Sequence, residues 1–148
     1  MTVERQPWCP PTTVRCFDDL LSYRLVGASA CADRITTALV HLAHAANHSG
    51  RDVAIEVKNV GDSFCRLKPD TGLHFNLVAI LTAAAQSGNS RDVAECPTAL
   101  DAYRRHAQKA LVTAAADLLR GDSTFLVQDY SSMIMRILAV LGQIDPAR

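Results

Sequence analysis

Three imidazoles stand close together in the stretch HLAHAANH: His41, His44 and His48, spaced three and then four residues apart. On a helix this spacing puts rings on adjacent turns of one face, and imidazole is a ligand for zinc, copper, iron and nickel. A metal site needs three or four converging donors, with further groups holding the rings. His44 and His48 supply half of one. A second helix would have to bring His74, His106 or Cys65 onto the same face. A metal- or small-molecule-binding sensor using His41, His44 and His48 is therefore one reading of the chain. The competing reading is a solvated helix side. At about 100° per residue, His48 and His44 fall about 20° and about 60° from His41, and Leu42, Leu39 and Ile35 centre near ~140° on the opposite side. Cys16, Asp19, Tyr23, Arg34 and Thr37 share the histidine side on that count. No cofactor is expected.

Other candidate chemistry is thin. The sequence holds no glycine-rich phosphate loop and no G-x-S-x-G elbow. Its aspartates mostly punctuate helix ends, which leaves paired-carboxylate catalysis without a constellation. Cys65 or Cys96 beside a histidine would make a nucleophile pair; small buried hydrophobes are the simpler reading. Cys9, Cys16, Cys31, Cys65 and Cys96 form no C-x-x-C pair and are odd in number, as expected of reduced thiols. Arg120-Gly121-Asp122, the sequon Asn47-His48-Ser49 and the Pro7/Pro10 P-x-x-P are read as chance matches. The basic stretch YRRHAQK (103–109) is too short to argue for nucleic acid.

The elements that would carry these residues read as helices. From Thr13 to Asn47, Val14, Phe17, Leu21, Leu25, Ala28, Ala32, Ile35, Leu39, Leu42 and Ala46 repeat every three or four residues. One apolar stripe on one long helix is expected, with its phase kept across Gly27. A second helix carries Val53, Val57, Val60, Phe64 and Leu67 and stops before Pro69. A third begins near Thr71, with Leu73, Phe75, Leu77, Val78, Ile80 and Leu81; being apolar nearly all round, it is expected to be central. A fourth starts at Pro97-Thr98, with Leu100, Tyr103, Ala107, Leu111, Ala114 and Leu118 on the face expected to pack. A fifth spans about 123–143, with Leu126, Tyr130, Met133, Ile137 and Val140 on its core side. The four-residue string RDVA, at 51–54 and 91–94, opens a helix both times, with an acid at the positive end of the dipole.

The expected fold is all-α: an up-and-down bundle of about five helices with a long N-terminal helix. Residues 1–12 read as an extended proline-rich arm and 13–148 as a single domain, a length that can bury a real core. Apolar residues make up 49% and aromatics 5%, which favours closely packed alanine-rich helices over a sheet. Lys+Arg and Asp+Glu balance at 15 each, so there is no general pull toward nucleic acid or an anionic membrane. No apolar run is long enough to span a bilayer. The start, MTVERQPWCPP, has no apolar stretch of signal-peptide length, from which a cytoplasmic setting is expected.

Two short resemblances follow from the fourth helix. CPTALDAYRRHAQKALVTAAADLL is similar to the last helix of globins, but a further helix follows it and the histidine spacings place no proximal and distal pair. Leu111, Ala114, Ala115 and Leu118 resemble the vinculin-binding helices of the talin family over one helix, and the match stops at Asp122. That resemblance implies no more than an adaptor-type bundle. The function expected is a non-enzymatic protein–protein interaction module, with a protein partner or a second copy of itself (a homodimer). Met135 and Leu138 are the candidate contact residues: Met135 falls opposite the core stripe of the fifth helix, beside Gln128, Ser131 and Gly142. The alternatives are the histidine-face sensor and a viral regulator of host signalling or apoptosis.

Overall fold

A computed structural model describes residues 7–25, 27–69, 72–119 and 132–144. These form six helices and no strand among the described residues: α1 (Pro11–Leu21), α2 (Ala28–His48), α3 (Val53–Leu67), α4 (Gly72–Ala85), α5 (Ser90–Leu118) and α6 (Ser132–Ile144). The all-α class is as expected, with one helix more. The chain groups into two compact units, Met1–Thr98 and Ala99–Arg148.

The long N-terminal helix is broken. α1 ends at Leu21, where the Tyr23 N–H donates to the Leu20 carbonyl and the Arg24 N–H to the Asp19 carbonyl. This is the paired closure of a Schellman motif, with Tyr23 in the left-handed position (φ 54°) that glycine usually fills. The Ser22 hydroxyl also donates to the Asp18 carbonyl at 2.6 Å, competing with continuation of the helix. Gly27 (φ 90°) is then the N-cap of α2. The glycine marks a helix start, and a tyrosine made the stop.

The break resets the phase of α1. Thr13, Cys16 and Leu20 are its buried residues. Val14 and Phe17 are half-buried and Leu21 is exposed. Antiparallel packing on α2 is fixed from one end to the other: Thr12 meets His41, the buried Thr13 hydroxyl donates to the Ala38 carbonyl at 3.0 Å, and Asp19 lies 3.6 Å from Arg34.

In the first unit α2 and α3 each pack against the other three helices; α4, expected to be central, leaves one side exposed. α2 packs against α1, α3 and α4, and Ile35, Leu39, Leu42, Ala43 and Ala46 have no exposed surface. α4 buries one side only, with His74, Leu77, Val78, Leu81 and Ala85 inward and Phe75 and Ile80 exposed. α3 follows its expected stripe through Val53, Val57, Val60 and Phe64, and Phe64 stacks on Phe17 with ring centroids 4.3 Å apart. A Cβ at Gly61 would overlap Val78 Cγ1, so α3 and α4 approach more closely there than a side chain at 61 would permit. Asp52 caps α3, accepting from the Ile55 N–H at 3.0 Å. Trp8 is half-buried, with the Arg51 guanidinium 4.3 Å from its ring centroid.

α5 starts at Asn89-Ser90, seven residues before Pro97, and runs through the proline. The Asn89 side chain accepts from the Arg91 N–H at 3.0 Å. That cap, with Val93 fully buried, holds the first turns of the helix. Pro97 lacks a donor and crowds the carbonyl four residues back, and the division between the units falls one residue after it.

Gly27 offers a direct check on the broken helix. Within a continuous helix Gly27→Ala would stabilise by about 1 kcal/mol. At φ 90° the same change forces an alanine into a strained conformation and should destabilise by about 1–2 kcal/mol. The sign of the shift in a denaturant midpoint separates the two.

Candidate functional site

His41, His44 and His48 are all exposed on α2, opposite its buried side. His41 Nδ1 lies 3.2 Å from Thr12 Oγ1 of α1. His48 Nδ1 lies 2.7 Å from the His44 carbonyl. A carbonyl carries no proton, so that ring nitrogen must donate, and only Nε2 of His48 remains available to a ligand. Two of the donors that could complete a site, His74 and Cys65, are buried in the first unit. Among the described residues no group of three or more His, Cys, Asp or Glu side chains could hold a metal ion. Cys16 does not share the histidine side. The phase reset buries it.

All five cysteines are free thiols, and each is driven away from the thiolate. Burial is the first cause of a raised pKa at Cys9, Cys31, Cys65 and Cys96. At Cys16 burial pushes the thiol from 9.0 up to about 12, with Arg34 opposing and Asp19 and Cys31 adding to the rise. A nucleophilic cysteine needs the opposite environment, so neither Cys65 nor Cys96 is an activated thiol.

On α6 the two faces are only partly distinguished, since Gly142, expected beside Met135, is half-buried. Leu141 is buried, Met133, Ile137 and Val140 are half-buried, and Met135 is 48% exposed. Leu138 is half-buried on the rim. Leu126, Gln128, Tyr130 and Ser131 lie outside the described residues, as does Arg120-Gly121-Asp122. Arg136 of α6 donates to Gln108 of α5 at 2.6 Å.

The largest departure is on α5. The face expected to pack is turned outward: Tyr103 is 72%, Leu111 53% and Leu118 83% exposed, and Ala107 and Ala114 are exposed with them. Val112 and Ala116, from the other side of the helix, are buried instead. Periodicity located this stripe but carries no sign telling inward from outward. Beside it, His106, Lys109, Ala110, Thr113, Ala114 and Asp117 border a shallow depression of about 470 Å³.

Two measurements test these assignments. Replacing His41, His44 and His48 together by Gln should move stability by no more than about 0.5 kcal/mol, as for exposed positions, and chelator should leave the melting temperature unchanged. A loss of several degrees, or of stoichiometric zinc, would contradict a solvated face. For Cys16, the folded chain keeps a proton that the unfolded chain releases, so its contribution is intact below about pH 9 and lost as pH rises toward about 12. The urea midpoint should fall across that window in the parent chain and fall less in Cys16→Ala, each relative to its own neutral-pH value. Equal slopes would show that Cys16 is not the buried thiol described.

No family model, no curated protein and no solved structure matches this chain.

Proposed function

We propose that the chain is a non-enzymatic interaction module, an adaptor-type helical bundle that works in the cytoplasm by binding protein. The observation that carries this reading is apolar surface that the described chain leaves outside. The stripe Tyr103, Leu111 and Leu118 on α5 and Met135 on α6 are exposed, and contiguous apolar surface of this kind characterises protein-binding faces. Among the described residues no helix is long and apolar enough to cross a membrane. Met135, with Leu138 beside it on the half-buried rim, supplies a flexible, polarisable contact suited to a surface that must adapt to a partner.

Positions two residues apart on α6 should behave differently. Met135→Glu, at an exposed site, should keep helicity and melting temperature while weakening association by tenfold or more. Association is read by quantitative capture from its native cell. Ile137→Asp places a charge against the packed side and should cost about 2–4 kcal/mol. If Met135→Glu and Leu138→Glu leave both folding and every association unchanged, the α6 surface is inert and this assignment of it fails.

A further inference from the structure

We infer that a second copy of this chain covers the exposed face of α5, the two helices lying antiparallel about a two-fold axis between Ala110 and Leu111. The inference rests on the interaction reading and names its partner. At about 100° per residue, Leu100, Tyr103, Ala107, Ala110, Leu111, Ala114 and Leu118 fall within an arc of about 100°. The far side of the helix is already occupied, since Val112 and Ala116 are buried. Rotation of α5 therefore cannot hide the stripe without exposing them.

The stripe is symmetric about its own midpoint. Tyr103 and Leu118 lie equally far from it on either side, as do Ala107 and Ala114, and Ala110 and Leu111 flank it. An antiparallel partner sets Tyr103 against Leu118 at both ends, Ala107 against Ala114 inside them, and Ala110 against Leu111 at the centre. Small residues inside bulky ends let two helices approach to about 8 Å. A two-fold interface requires this self-complementarity, because the same patch must fit itself.

Charge points the same way. On the flank bordering the shallow depression, His106 and Lys109 lie in the first half of the segment and Asp117 in the second. About a two-fold axis, like flanks meet, so each Asp117 comes within side-chain reach of the other copy's His106. In a parallel pair opposite flanks meet instead, and this flank's His106 and Asp117 would not face each other. Antiparallel helix dipoles add to the preference. Four helical turns bury less than the roughly 1,200 Å² at which stable interfaces begin, so the dimer is a weak one, with a Kd of about micromolar order.

Sedimentation of the full chain from about 1 µM to about 1 mM spans the range such an interface requires. The mass should rise from 16.0 kDa toward twice that value. Leu111→Glu and, separately, Ala114→Glu should hold the chain monomeric with unchanged circular dichroism. Register is read in a chain with Cys9 and Cys96 replaced by Ser, under mild oxidation. Leu111→Cys should cross-link to itself, Tyr103→Cys alone should not, and Tyr103→Cys with Leu118→Cys should. A monomer at every concentration, a dimer indifferent to both glutamates, or cross-linking by Tyr103→Cys alone would overturn the inference. If the chain stays monomeric while Met135→Glu abolishes binding to another protein, the interaction reading survives and only the self-pairing falls. If it neither self-associates nor captures a partner, both fall.

Discussion

Burial of α2 is the constraint on which the first unit depends. Ile35, Leu39 and Leu42 are without exposed surface, and three other helices are needed to achieve this. α1 covers one side, α3 and α4 the rest. Alanines at 32, 38, 43 and 46 keep the neighbours close, and Gly61 against Val78 does the same between α3 and α4. Close packing of small residues raises the number of dispersion contacts per unit of apolar surface, which is how a chain with so few aromatic rings reaches a dense interior. The break at 22–27 belongs to the same constraint. A continuous helix could not fold α1 back onto the helix it leads into.

The second unit is subject to the opposite limit. It contains 99–148, a length at which a smaller share of an extended chain's surface is buried than in a larger domain. Its longest described segment carries apolar residues on two sides, and one side is left outside. A stripe that keeps helical period over some eighteen residues is poorly explained by scattered exposed hydrophobes, which are individually ordinary. On the proposed pairing, the unit would gain burial by association, and the stripe is the surface that would close.

What the sequence disclosed and what it withheld divide along physical lines. The helical type of every described segment was legible, though not the division into α1 and α2, because periodicity near 3.6 persists regardless of neighbours. So was the outward face of α2, since polar imidazoles and apolar side chains mark opposite sides. The stop at Tyr23 was not legible. Its signal is a backbone conformation that tyrosine rarely adopts, and the apolar spacing continues through it by coincidence. Pro97 misled in the other direction: it reads as a helix start, yet the Asn89 cap and buried Val93 place the start earlier and carry the helix across it. Periodicity also could not reveal that Phe75, Ile80 and the α5 stripe face outward, because an apolar side chain looks the same whether its partner lies within the chain or beyond it.

Tyr23 and Tyr103 are almost equally exposed, at 76% and 72%, and they carry opposite meanings. Tyr23 sits in a turn with the Lys68 ammonium 4.5 Å from its ring centroid; Tyr103 lies on the surface held to close on association. Hydroxyl-radical footprinting over a range of protein concentrations reads both in one sample. Oxidation of Tyr103, Leu111 and Leu118 should fall as concentration rises while that of Tyr23 stays constant. A Tyr103-to-Tyr23 labelling ratio that does not change with concentration would contradict it.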